Sequence, residues 1–268
     1  MKKLGILVLS HTVISRMILI TIATLFNTIV TVSLMAEGLP NGETVVSGVI
    51  SISQNEQSMT IDQSSNQAII EWNSFDIGQN NSVTFQQPSI SSSALNRVMS
   101  GNPTTLAGTL NSNGNVYVVN ENGVYFTSTS SITANSFAAS TLALSNDDYL
   151  QNKLYFSSDQ LNSSLASVMN KGSITTLDGG FIALLGGAVN NEGTINANFG
   201  KVGIGAGQEI ILDLSGDQFL QVAVPINEAT IVLDRNEEEV DTLIKHAGIS
   251  KGSNISLKVR SPFPSLWQ

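Results

Sequence analysis

Few residues of this chain are equipped for chemistry. It has two histidines, His11 and His246, and no cysteine. A Cys/His zinc site is therefore excluded, and a Ser-His-Asp triad would depend on His246 alone once the first segment is set aside. Asp147 and Asp148 form an adjacent acidic pair. Polysaccharide-active enzymes use clustered carboxylates to hold calcium or to transfer protons. Adjacent strand residues point to opposite faces, and no Lys, Arg or His cluster lies nearby, so the pair reads as the polar start of a loop. Gly203, Gly205 and Gly207 superficially resemble a dinucleotide loop. The third glycine of that motif would fall on Gln208, and a strand pattern follows where a helix is required. Trp72 and Phe75 are expected to pack in a core. Arg97 is either paired, with Asp76 or Glu71, or turned outward to a partner.

The elements that must position these residues are strands. Hydrophobic residues make up 41% of the chain and charged residues 12%, which suits an ordered protein with a sizeable core. Ser, Thr, Asn and Gly are plentiful, and all compete against helix. The net charge is −9. Residues 1–36 hold Lys2, Lys3 and Arg16 and no acid, which leaves nine basic against 21 acidic residues beyond them, a balance of −12. Such a surface lacks the clustered cations that a phosphate backbone needs, so nucleic acid is not an expected partner. Without cysteine, packing and backbone hydrogen bonds alone must hold the fold.

The first 36 residues begin with two lysines, continue through an apolar run from Met17 to Met35 and end at Ala36. A basic start, an apolar middle and a small residue before a polar segment describe a secretory signal, with cleavage expected after Ala36. The other reading is an uncleaved membrane anchor. Thr21, Thr24, Asn27, Thr28, Thr31 and Ser33 weaken it, because each polar group costs free energy in lipid. On either reading the remaining chain, residues 37–268, leaves the cytoplasm.

Beyond this segment the chain repeats. Residues 108–119 (GTLNSNGNVYVV), 172–185 (GSITTLDGGFIALL) and 193–205 (GTINANFGKVGIG) share a glycine, a hydroxyl residue, Leu or Ile, a polar turn and an alternating apolar strand. Residues 248–259 (GISKGSNISLKV) are a looser copy. Gly172 and Gly193 are 21 residues apart, and the 85 residues from Gly108 to Gly193 are close to four such steps. A period near 20 with one strand-turn-strand unit per step predicts a stacked β-solenoid. Val116 and Val118 should then share one face, and Tyr117 and Val119 the other. Asn113-Gly114 and Asn122-Gly123 read as two corners of one winding path, although a hairpin would also fit locally. Two segments break the rhythm. Residues 146–168 show no strand alternation and read as a short helix or an excursion. Residues 226–245, with Glu237, Glu238 and Glu239, read as a solvated loop or helix face. The tail, with Pro262 and Pro264, does not read as a cap, so the chain is expected to be a fragment or a truncated reading frame.

Several linked motifs resemble a family. "AIIEWNSFDIGQNNSVTFQQP" (68–88), "ALNRVMSGNPTTLAGTLNSNGNVYVVNENGVYF" (94–126) and "FAASTLALSNDDYL" (137–150) are similar to the secretion domain of two-partner secretion exoproteins. These are the filamentous-haemagglutinin-type adhesins. "GSITTLDGGFIALLGGAVNNEGTI" is similar to the coils that follow in the high-molecular-weight-adhesin branch. The resemblance runs from about Gly38 to about Val232. It implies an all-β fold: a right-handed parallel β-helix with an N-terminal cap and extra-helical insertions. It also implies export across the inner membrane and recognition in the periplasm by the POTRA domains of a partner outer-membrane β-barrel transporter. A host-surface receptor would be bound by a downstream region. No cofactor and no metal are implied.

The family's Asn-Pro-Asn-Gly turn falls on Asn120, Glu121, Asn122 and Gly123, with Glu121 in place of proline. Proline presets φ at that turn position and glutamate only permits it. Asn96-Arg97-Val98 and Asn102-Pro103 match the family pattern. Two functional readings result. One is an export-targeting module of an adhesin, without catalysis. The alternative is a β-helical polysaccharide-active enzyme, motivated by fold type and scattered acids.

Overall fold

A computed structural model of the chain describes residues 38–158, 164–215, 218–224, 231–233 and 244–259. The expected export segment, the run of three glutamates and the proline-containing tail lie outside the described residues.

The chain winds as a parallel β-helix with three faces. The first face stacks Ser58–Gln63, Ser82–Gln86, Thr109–Ser112, Ser131–Ala134 and Ser173–Thr176, then the opening residues of Thr194–Ala206 and Ile249–Val259. The second stacks Gln67–Trp72, Ser93–Val98, Asn115–Val119, Ser136–Ser140 and Phe181–Gly186, then the closing residues of the same two long strands. The third stacks Thr104–Leu106, Val124–Phe126, Ser164–Asn170, Ala188–Asn191 and Ile244–His246. Every pairing within these three stacks is parallel.

Alternation builds two cores. Val116 and Val118 point into the helix with Phe126, Phe137, Ile182 and Ile204. Tyr117 and Val119 point outward and are buried in a second cluster. The expected sharing of faces is therefore observed. Trp72 and Phe75 lie in the inner core, edge to face with ring centroids 5.4 Å apart, as core packing requires.

The second cluster needs a roof, and the excursions supply it. Ala143–Leu144, Leu154–Ser157, Glu209–Leu212 and Leu220–Val224 form an antiparallel sheet over the second face. Gly203 and Gly205 lie on strand positions beneath it. A Cβ there would come within 3.0 Å of Phe219 and 3.1 Å of Ile210. The glycine-rich stretch thus makes room for a roof. Asp147 and Asp148 open the helix Asn146–Leu150, where Ser145 caps the Asp148 N–H at 3.1 Å. The segment 146–168 also holds two strands, so its expected lack of strand structure is corrected. Leu154–Ser157 pairs with Glu209–Leu212, more than 50 residues away, and that partner is invisible locally.

The step count is corrected as well. Thr109, Ser131, Ser173, Thr194 and Ile249 occupy one register position on successive coils, with separations of 22, 42, 21 and 55 residues. Gly108 to Gly193 is three coils, one of them carrying the inserted helix and hairpin. Asn113-Gly114 and Asn122-Gly123 are corners and not hairpins, since the strands flanking each belong to different faces. At the start of the helix, Thr44–Ser47 and Ile50–Gln54 pair antiparallel with the first coil, and Leu39, Ile50 and Ile52 close the inner core. This is the expected N-terminal cap.

Candidate functional site

The turn at residues 120–123 links the second face to the third. The Asn120 side chain is fully buried. Its Nδ2 donates to the Asn102 carbonyl at 2.9 Å and to Thr104 Oγ1 at 3.0 Å. Its Oδ1 accepts the Asn122 N–H at 2.9 Å. The exposed Asn122 reaches back one coil, where Nδ2 donates to the Ser100 carbonyl at 2.9 Å. Gly123 has φ of +126°, a conformation that a side chain disfavours. The Gly123 N–H donates to the Asn120 carbonyl at 3.1 Å and closes the turn without the family's proline. Glu121 faces solvent. Residues 99–103 and 120–123 are thus one unit, two loops on consecutive coils stapled by two asparagines. Asn102 and Pro103 belong to it.

Asn96 and Arg97 do not. Asn96 points inward, fully buried, where Oδ1 accepts from Trp72 Nε1 at 3.0 Å and Nδ2 donates to the Tyr117 carbonyl at 3.3 Å. Arg97 points outward beneath the roof. It pairs with Glu71 at 3.1 Å and donates to the Leu144 carbonyl at 2.7 Å and to Asn146 Oδ1 at 2.8 Å. Of the two partners expected for it, Glu71 is the observed one. Asp76 instead accepts from the Thr105 N–H at 2.6 Å.

Asparagine also does work that the sequence did not announce. Gly172 N–H donates to Asn170 Oδ1, Asn170 Nδ2 donates to Asn191 Oδ1 at 2.7 Å, and Asn191 Nδ2 hydrogen-bonds His246 Nδ1 at 3.0 Å. The three residues share one register position on successive coils. His246 therefore ends a structural ladder. Asp147 and Asp148 serve a helix start, and among the described residues no three His, Asp or Glu side chains gather as a metal site.

Comparison with known proteins agrees with the fold. The profile of the TPS secretion domain, the secretion domain of two-partner secretion, matches residues 36–263. A curated heme/hemopexin-binding protein of Haemophilus influenzae is 36% identical over 234 residues, which is 84% of this chain and 24% of that protein. A second Haemophilus influenzae heme/hemopexin-binding protein is 41% identical over 103 residues, 38% of this chain and 11% of that one. The crystal structure of the HMW1 secretion domain from Haemophilus influenzae aligns with a TM-score of 0.64 at 30% identity, covering 82% of this chain and 57% of that one. The chain spans about a quarter of the length of the first curated relative. With the motifs, the capped parallel coils and the family match all in place, the chain belongs to the TPS secretion domain family.

Proposed function

We propose that this chain is the export-directing segment of a larger adhesin- or haemagglutinin-like exoprotein. A partner outer-membrane β-barrel recognises it in the periplasm through POTRA domains, and it then nucleates β-helix folding at the cell surface. Each added coil buries apolar surface and closes backbone hydrogen bonds, so folding outside the cell helps to draw the chain out. The observation that carries this reading is the family match over residues 36–263. The stapled loops at residues 99–103 and 120–123 are the assigned recognition element. Asn102, Glu121 and Asn122 are exposed there, while Asn120 holds the pair together. Asn96 and Arg97 lie on the strand that leads into it and bond to neighbouring coils and the inserted segment instead.

Co-production with the partner transporter tests this. Asn122→Ala, which touches only the exposed staple, and the Asn120→Ala/Asn122→Ala double variant are compared with the wild type. The fraction of chain in the medium is measured against that left in the periplasm. The double variant should be secreted several-fold less. Secretion of the double variant at the wild-type level would sink the assignment.

A further inference from the structure

The corners that join the first face to the second differ in length. Residues 87–92 turn the second coil, residues 113–114 the third, Asn135 alone the fourth and residues 177–180 the fifth. The long corners stand out as walls, and the short ones between them leave an open recess of about 540 Å³. Thr84, Asn111 and Thr133 line its floor, one register position on three successive strands. Their side chains and that of Gln86 make no hydrogen bond among the described residues, so their donors and acceptors are available to a ligand. Leu177 lines one wall at 43% exposure, and Gln87, from the corner of the second coil, lines the other.

The recess is held in shape from below. Asn113 Oδ1 accepts the Gln87 N–H and Asn113 Nδ2 donates to the Gln87 carbonyl, both at 2.7 Å. The buried Ser112 hydroxyl donates to Gln87 Oε1 at 2.7 Å, and Gln87 Nε2 donates to Gln63 Oε1 at 3.0 Å. A smaller recess, lined by Asp62, Gln86, Gln87 and Pro88, continues toward the cap.

We infer that this recess binds an uncharged oligosaccharide. Hydroxyls and carboxamides both donate and accept, as sugar hydroxyls do, and Leu177 offers an apolar surface to a sugar's C–H face. Among the described residues no cation lines the recess, so sialylated, sulfated and phosphorylated ligands find no counter-charge there. An extended peptide is disfavoured for a separate reason. It binds a sheet by pairing with a free strand edge, and these strands already pair on both sides with neighbouring coils. From the second coil to the fifth is three steps of ~4.8 Å, or about 14 Å, which accommodates about three linked hexoses. With few direct hydrogen bonds, each exchanged against water, binding belongs at about 0.1–1 mM.

The test uses the full chain on an array of neutral, sialylated and sulfated oligosaccharides, followed by titration of the retained neutral compound. Thr133→Val keeps size and strand preference, and Leu177→Ser strips the wall. Each should weaken binding about fivefold. In the unaltered chain the same compound should shift the NMR signals of Asn111 and Leu177, a readout that needs no variant. The inference is overturned by no neutral binding at ~10 mM, about tenfold above the expected range. It is overturned equally by preference for charged glycans, by variants that bind like the wild type, or by signal shifts confined elsewhere.

Discussion

Arg97→Ala should free the roof while leaving the coils standing. The guanidinium joins Glu71 on the preceding coil to Leu144 and Asn146 in the inserted segment. The ion pair is partly solvated, with side-chain exposures of 16% and 28%, and contributes at most about 1 kcal/mol. Two hydrogen bonds from a charged donor to neutral acceptors contribute about 1.5–3 kcal/mol each, toward the low end at Asn146, where water can replace the partner. The loss comes to about 3 kcal/mol, or roughly a hundredfold in the opening equilibrium of the segment. Amide hydrogen exchange measures it residue by residue. Amides of Tyr149, Leu154 and Phe156 should exchange roughly a hundredfold faster, and those of Val116 and Val118 about as before. Arg97→Lys should fall between, because an ammonium keeps the attraction to Glu71 but cannot span three acceptors. The reasoning is refuted if the inserted segment exchanges within about threefold of the wild type, or if the coils lose protection equally. Unchanged exchange with reduced secretion would instead assign Arg97 to the transporter.

Asn191→Leu should destabilise the later coils by about 2–4 kcal/mol, since it strands the buried Asn170 amide and removes the bond to His246. Exchange of the Val202 and Ile204 amides checks this, and no change would show that the ladder adds nothing. Alkaline unfolding should follow from Tyr149, whose hydroxyl is pushed up to about 12, mainly by burial. Tyr117, buried beside it, is raised too. The unfolded chain surrenders its tyrosine protons near pH 10 while the folded chain keeps them, so this stability is intact below about pH 10 and is lost from there to about pH 12. Up to about 3 kcal/mol disappears from Tyr149 across that window. Tyr149→Phe should lose the Ser93 hydrogen bond at neutral pH and unfold at higher pH than the wild type relative to its own starting stability. An unchanged alkaline transition would contradict the assignment.

What could be read in the sequence was what local chemistry dictates. The alternation of residues 116–119 and the glycine and asparagine corners needed no distant partner. Asn113 shows where this stopped. Its type suggested a residue bending its own backbone, yet its side chain grips Gln87 on the coil below, 26 residues back. The ladders Gln63–Gln87–Ser112 and Asn170–Asn191–His246 become visible only when the register is known. Insertions of unequal length hide that register from a fixed period. The roof was hidden for the same reason, because its strands come from two insertions separated by five strands of the helix. For Arg97, spacing offered both Glu71 and Asp76, and only the coil pairing that sets Glu71 directly beside it decides.

The roof also fixes which surfaces remain open to partners. The second face is buried on both sides, and its strands lose alternation: FIALLG is buried at every residue. Strands covered on both faces read as continuous apolar runs. The first face is covered on one side only, and its strands keep strict alternation, as in SITT and the start of Thr194–Ala206. Its outward Ser, Thr and Asn residues carry no roof. A partner meeting the described coils therefore does not meet the second face, whereas the hydroxyl-rich first face and the corners are open to it. The two proposed sites follow that division. The stapled loops sit at corners between the second and third faces, and the recess lies where the first face turns into the second. A ligand in the recess should accordingly leave secretion of the Asn122→Ala variant unchanged, since no strand of the first face takes part in the staple.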